Sequence, residues 1–161
     1  MCRKDHNMLP HLTSVCADDA EVLALSVLRF VAAGYMTSDV ACWDAAYDGV
    51  EQVLGPLEGP KFIAAMAGIM RAIRCERQDD WRFMPATCCR VTEDEHQLIT
   101  LIALARQRRR PEEVEAQAAR LVKAFEAPRL TASVWAAAEV LGAVKSQLIP
   151  EVTASSRAGL H

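Results

Sequence analysis

The sequence predicts an all-α protein, a single-domain compact bundle of about six helices. Apolar residues recur three and four apart through most of its 161 residues, the period of a helix face and not of a strand. Gly, Pro and capping residues stand between these stretches where helices start and stop. Alternating β-branched runs are few, and the Asp48-Gly49 pair lies inside a helical pattern, where it makes no hairpin turn.

The first helix begins at Asp18 or Asp19, either of which can cap it, and runs to Ala33 with Gly34 as a stop. Its Val22, Leu23, Leu25, Val27, Leu28, Phe30 and Val31 are apolar on nearly every side, which predicts a central place. The second follows Ser38 as N-cap. Trp43, Tyr47, Val50 and Leu54 step along it after Val40, and Gly55-Pro56 ends it. Pro60 suits the first turn of a third helix with a stripe of Phe62, Ile63, Met66, Ile69, Met70 and Ile73. Ala64, Gly68 and Ala72 add a line of small residues; close internal packing is its commoner meaning, a partner helix the rarer one.

Thr92-x-x-Glu95 is a capping box that opens a fourth helix, also apolar around much of its girth and also placed near the centre. Pro111-Glu112-Glu113 starts a fifth, with Val114, Ala118, Leu121, Val122 and Phe125 on one face. Thr131 caps a sixth, which points Val134, Trp135, Ala138, Leu141 and Leu148 inward and stops at Pro150. The organisation is therefore an N-terminal arm over residues 1–17, a helical domain over 18–149 and a flexible tail over 150–161.

Eighteen basic against 21 acidic residues leave a net charge of −3, a balance that argues against nucleic acid as a partner. The longest nearly apolar run, Val22 to Ala33, is short for a bilayer and contains Arg29, so no membrane span is expected. With no secretory pattern at the start, the expected compartment is the cytoplasm. The six cysteines are accordingly read as reduced thiols.

Chemistry is best sought in residues 78–91, a long connection holding Trp81, Phe83, Met84 and the pair Cys88-Cys89. The bland reading, which we favour, has the three apolar side chains plugging the segment onto the bundle. The functional reading has Cys88 and Cys89 as a thiol or redox site, upstream of a helix N-terminus and beside Arg90. With Cys75 and one of His6, His11 or His96, these cysteines would form a zinc or other thiophilic-metal set. The spacing opposes it, because no Cys-x-x-Cys is present. No cofactor is expected on balance. His6 and His11 fall in the arm and are read as solvated.

The pattern Pro85-x-x-Cys88-Cys89-x-x-Thr92-x-x-Glu95, with Leu9-Pro10-His11 ahead of it, resembles a group of small bacterial helical proteins. The similarity covers about the first two-thirds of the chain. It implies that the Cys-Cys segment is a family feature, and it carries over neither an activity nor a catalytic residue.

Arg106, Arg108, Arg109 and Arg110 form the charge cluster of the chain. Cations at a helix end complement its carbonyls, and that is the stronger reading; a surface for an acidic protein partner is the functional one. No Walker loop, Gly-x-Gly-x-x-Gly or Ser/His/Asp set is present, and Asp44 with Asp48 lacks the second carboxylate helix of a di-metal bundle. The function expected is thus a non-enzymatic cytoplasmic interaction or regulatory protein, with a protein partner or a second copy of itself. The alternative is a thiol-based metal or redox sensor at Cys88-Cys89.

Overall fold

A computed structural model of the chain describes residues 8–148. Within these residues six helices follow one another: α1 (Leu12–Val15), α2 (Asp19–Thr37), α3 (Val40–Glu76), α4 (Glu93–Arg106), α5 (Pro111–Val122) and α6 (Pro128–Leu148). Among the described residues no strand is formed. A lone antiparallel bridge joins His11 to Arg90. The fold is the all-α bundle the sequence predicts. Pro150, the 150–161 tail, Cys2 and His6 lie outside the described residues.

Local chemistry sets most boundaries. Asp18 caps α2 by accepting from the Glu21 amide, and Thr92 with Glu95 closes the capping box of α4. The predicted second and third helices are two arms of α3, hinged at Gly55, whose φ of 78° and ψ of 170° only glycine adopts without strain. The second arm starts at Pro56, not at Pro60.

Three expectations need correction. Gly34 does not stop α2, which continues to Thr37 and ends on Ser38 in the left-handed region, so that Asp39 and not Ser38 caps α3. Gly34 is instead a seat for Trp43: a β-carbon there would lie 2.5 Å from the indole nitrogen. Tyr35 meets the same indole edge-on at 5.4 Å, and the Arg74 guanidinium covers the Tyr35 ring at 4.5 Å. This stack fastens the end of α2 to both arms of α3.

Secondly, α6 starts one turn before Thr131. The reason is tertiary: the Glu76 carboxylate, at the end of α3, accepts from the Arg129 and Leu130 amides at 2.7 and 2.9 Å. A capping carboxylate from 53 residues away is invisible to a local reading.

Thirdly, the centre belongs to α6 more than to α4. It packs against α2, α3, α4 and α5, with Leu130, Val134, Ala137, Leu141 and Val144 buried. Its small residues let neighbours approach, and Gly68 on the small-residue line of α3 faces Ser133. Gly68 and the buried Ala72 therefore serve internal packing, while Ala64 is exposed. By length and composition α2 could cross a membrane, yet Ala24, Leu25, Val27, Leu28, Val31 and Ala32 are buried in this bundle.

Candidate functional site

Arg29, the charge inside the most apolar helix, organises the segment before α4. Its Nε donates to Glu95 Oε1 at 2.7 Å and an Nη to Oε2 at 3.0 Å. The other bonds run to the carbonyls of Cys88 and Arg90, each at 2.6 Å. Glu95 also accepts from the amides of Thr92 and Met84. One ion pair thus holds residues 84, 88, 90 and 92 of the connection against α2.

Apolar side chains finish the job. Met84 is buried, and Trp81 and Phe83 pack partly buried against the core. The Arg77 guanidinium lies over the Trp81 ring at 5.4 Å and pairs with Asp94 at 2.9 Å. Burial opposes the Arg77 charge, but the bonds and charges of Asp94 and Asp79 outweigh it and raise its pKa. Asp79, held in turn by Lys123 and Arg77, is pulled below the ordinary carboxylate range. The plug expected of Trp81, Phe83 and Met84 is what the structure shows.

The N-terminal arm joins this assembly. The Leu12 amide donates to the Cys89 carbonyl at 2.8 Å and the Val91 amide to the Pro10 carbonyl at 3.0 Å. His11, read as solvated in an arm, caps α1 by accepting from the Thr13 amide, and Arg90 donates to the Leu9 carbonyl. A void beside Arg29, lined by Leu25, Met70, Trp81 and Leu98 among others, measures about 10 Å³. That is room for one water at most, and none for a substrate.

The cysteines are dispersed. Cys16 is buried, Cys42 and Cys88 are half-buried, and Cys75 and Cys89 are exposed. Burial, with the nearby Glu21 charge, pushes the Cys16 thiol up to about 11, while Arg29 pulls the other way. Among the described residues no three His, Cys, Asp or Glu side chains stand where they could hold a metal ion. The set of Cys75, Cys88 and Cys89 with His11 or His96 is therefore not assembled. Cys88 and Cys89 follow a turn closed by the Cys88 amide on the Pro85 carbonyl, and the backbone here is committed to Arg29 and Leu12.

Of the arginine cluster, Arg106 is spent inside the fold. It pairs with Asp18 at 2.8 Å and with Glu21 at 2.7 Å, and the Asp18 bond chiefly raises its pKa. The α2–α4 seam is thus clamped at both ends with opposite polarity, Arg29 to Glu95 and Glu21 to Arg106, which favours the antiparallel pairing. Arg108, Arg109 and Arg110 are exposed at the α4–α5 turn. Arg108 takes a φ of 51° there, and Arg110 pairs with Glu113.

Among the described residues, open concave surface lies on either side of Trp135, which sequence patterning turned wholly inward and the structure leaves half-buried. On one side Arg106, Arg108, Ala138 and Glu139 help line a groove of about 630 Å³. On the other, α5 contributes Glu112, Glu115, Ala116 and Ala119, and α6 contributes Pro128, Thr131, Ala132 and Trp135 itself. Phe125 and Glu126 close it, and the groove measures about 640 Å³. Both volumes are of binding-site size.

Phe125 is the largest departure from the periodic reading. The helix ends at Val122 because Lys123 turns into the left-handed region, so Phe125 leaves the apolar face and is 95% exposed. No local signal marks that end, since Lys123 stands where glycine is usual. An aromatic on a groove edge is a feature of binding surfaces.

No protein-family model matches the chain, and no curated protein or solved structure does either.

Proposed function

We propose that the chain is a non-enzymatic cytoplasmic interaction or regulatory protein that meets a protein partner through the α5–α6 face. The observation that carries this reading is Phe125, fully exposed beside the half-buried Trp135 and between helices that form an open groove. Contact area of this type, rigid and aromatic, is where association energy concentrates. Arg108 extends the same face with positive charge on the far side of Trp135.

The polar chemistry elsewhere is already committed. Arg29, Glu21 and Glu95 are buried, and each is satisfied by ion pairs and backbone bonds. Those bonds support a role in holding the chain in shape, which leaves the α5–α6 face to do the recognition.

A photo-crosslinking amino acid in place of Phe125, in the native cell, tests the reading against the same group at exposed Ala45 on α3. A discrete protein adduct at position 125 that is lacking at position 45 is the expected result. Indistinguishable patterns at the two positions would reject the face as an interaction surface.

A further inference from the structure

We infer that the groove between α5 and α6 receives one amphipathic helix of a partner protein, basic along its flanks and small or aliphatic on its inner face. This rests on the reading of the α5–α6 face as an interaction surface, and it names the occupant.

The shape comes first. Glu112, Glu115, Ala116 and Ala119 stand at i, i+3, i+4 and i+7 of α5, so they form one stripe along that helix. Pro128, Thr131, Ala132 and Trp135 repeat the same spacing on α6. Two parallel stripes with alanines at their middles make a shallow valley, and a valley between helices is what a third helix packs into. Seven residues span about 10 Å at the helical rise, the length of two turns of an occupant. Two aromatics, Phe125 on the connection and Trp135 on α6, supply anchoring surface.

Charge decides the chemistry of the occupant. Glu112, Glu115 and Glu126 are exposed on the groove and form no ion pair among the described residues. Of the cations close by in the chain, Arg110 pairs with Glu113 and Lys123 with Asp79, and the exposed Arg120 and Arg129 do not line the groove. The rim therefore presents three carboxylates around an apolar floor. A lysine- or arginine-flanked helix complements both, and an acidic one is repelled. No sheet edge is available for an extended peptide among the described residues.

The test uses the full chain and a fluorescein-labelled synthetic helix with leucines on one face and lysines on both flanks. A second peptide has glutamates in place of the lysines. The wild-type protein should bind the lysine peptide saturably and the glutamate peptide far more weakly. Glu115→Lys with Glu126→Lys should weaken the lysine peptide by about tenfold or more and improve the glutamate peptide. Both positions lie outside the first turn of α5, and the neutral pair Glu115→Gln with Glu126→Gln gives a second, milder variant whose loss should be intermediate. Asp44→Lys with Asp48→Lys, an equal charge change at exposed positions on α3, should leave binding within about twofold.

Equal losses at the two sites would reduce the effect to net charge and overturn the inference. So would failure of the wild type to bind the lysine peptide. A Phe125 crosslink combined with either result would sink the basic helix while keeping the face. A dimer abolished by the Glu115/Glu126 variant would replace the partner helix with a second copy of this chain.

Discussion

Arg29 and Glu95, 66 positions apart, meet through two hydrogen bonds of 2.7 and 3.0 Å with both side chains 2% exposed. The pair explains why the most apolar helix carries an arginine. It also explains why the connection ahead of α4 is ordered, since Arg29 and Glu95 together bond the backbone at four residues of it. A buried pair is costly to desolvate, so its worth lies in what breaks when one member is lost.

Arg29→Met should destabilise the protein by about 3–5 kcal/mol, because Glu95 is left charged and buried with two carbonyls unsatisfied nearby. Glu95→Gln should cost less, since the amide retains acceptor capacity and shape. Urea denaturation measures both, and the double variant should cost clearly less than the sum of the singles. Strict additivity would show that the two residues are not coupled.

Two glycines make opposite demands. Gly34→Ala should destabilise by about 1–3 kcal/mol through overpacking against the Trp43 indole. Gly55→Ala should cost about 1–3 kcal/mol for a different reason, the positive φ, although a β-carbon there meets nothing within 4 Å. Adding Trp43→Phe, which shortens the ring, should relieve the first penalty and leave the second untouched. Thermal melts of the four variants distinguish packing from backbone strain.

The thiols should separate by position. At neutral pH, mass spectrometry of a short iodoacetamide pulse should find Cys75 and Cys89 labelled first and Cys16 last. With a folded pKa near 11 against an ordinary 9.0, Cys16 contributes stability that is whole below pH 9 and is lost as pH rises towards 11. Cys16→Ala should flatten that alkaline decline. Rapid labelling of Cys16 in the native protein would show that the segment ahead of α2 opens freely.

Glu76→Ala should cost about 1 kcal/mol, the usual worth of a helix cap, although the residue lies on a different helix from the one it caps. Hydrogen exchange should quicken at the Arg129 and Leu130 amides specifically. Unchanged exchange there would mean that solvent replaces the carboxylate without loss.

Much of the bundle was legible in the chain because helices are local objects. The apolar stripe of Phe62, Ile63, Met66, Ile69, Met70 and Ile73, the cap at Asp18 and the Thr92–Glu95 box each depend on residues within a few positions. So does the break at Gly55-Pro56, where backbone sterics suffice. The plug of Trp81, Phe83 and Met84 was legible for the related reason that a long apolar connection must bury something.

Tertiary structure alone decided the rest, because the deciding partners are distant in the chain. Nothing near Arg29 announces Glu95, nothing near Pro128 announces Glu76, and Arg106 reads as a dipole cation until Asp18 and Glu21 reach it. The cysteines that share a stretch of sequence take different exposures, so the metal set was a pattern in one dimension only. The α5–α6 groove is of the same kind: its acids and alanines are ordinary surface residues on each helix, and they become one concave face only when α5 and α6 lie side by side. Periodicity tells which way a side chain points on its own helix; burial and charge pairing depend on which helix it then faces.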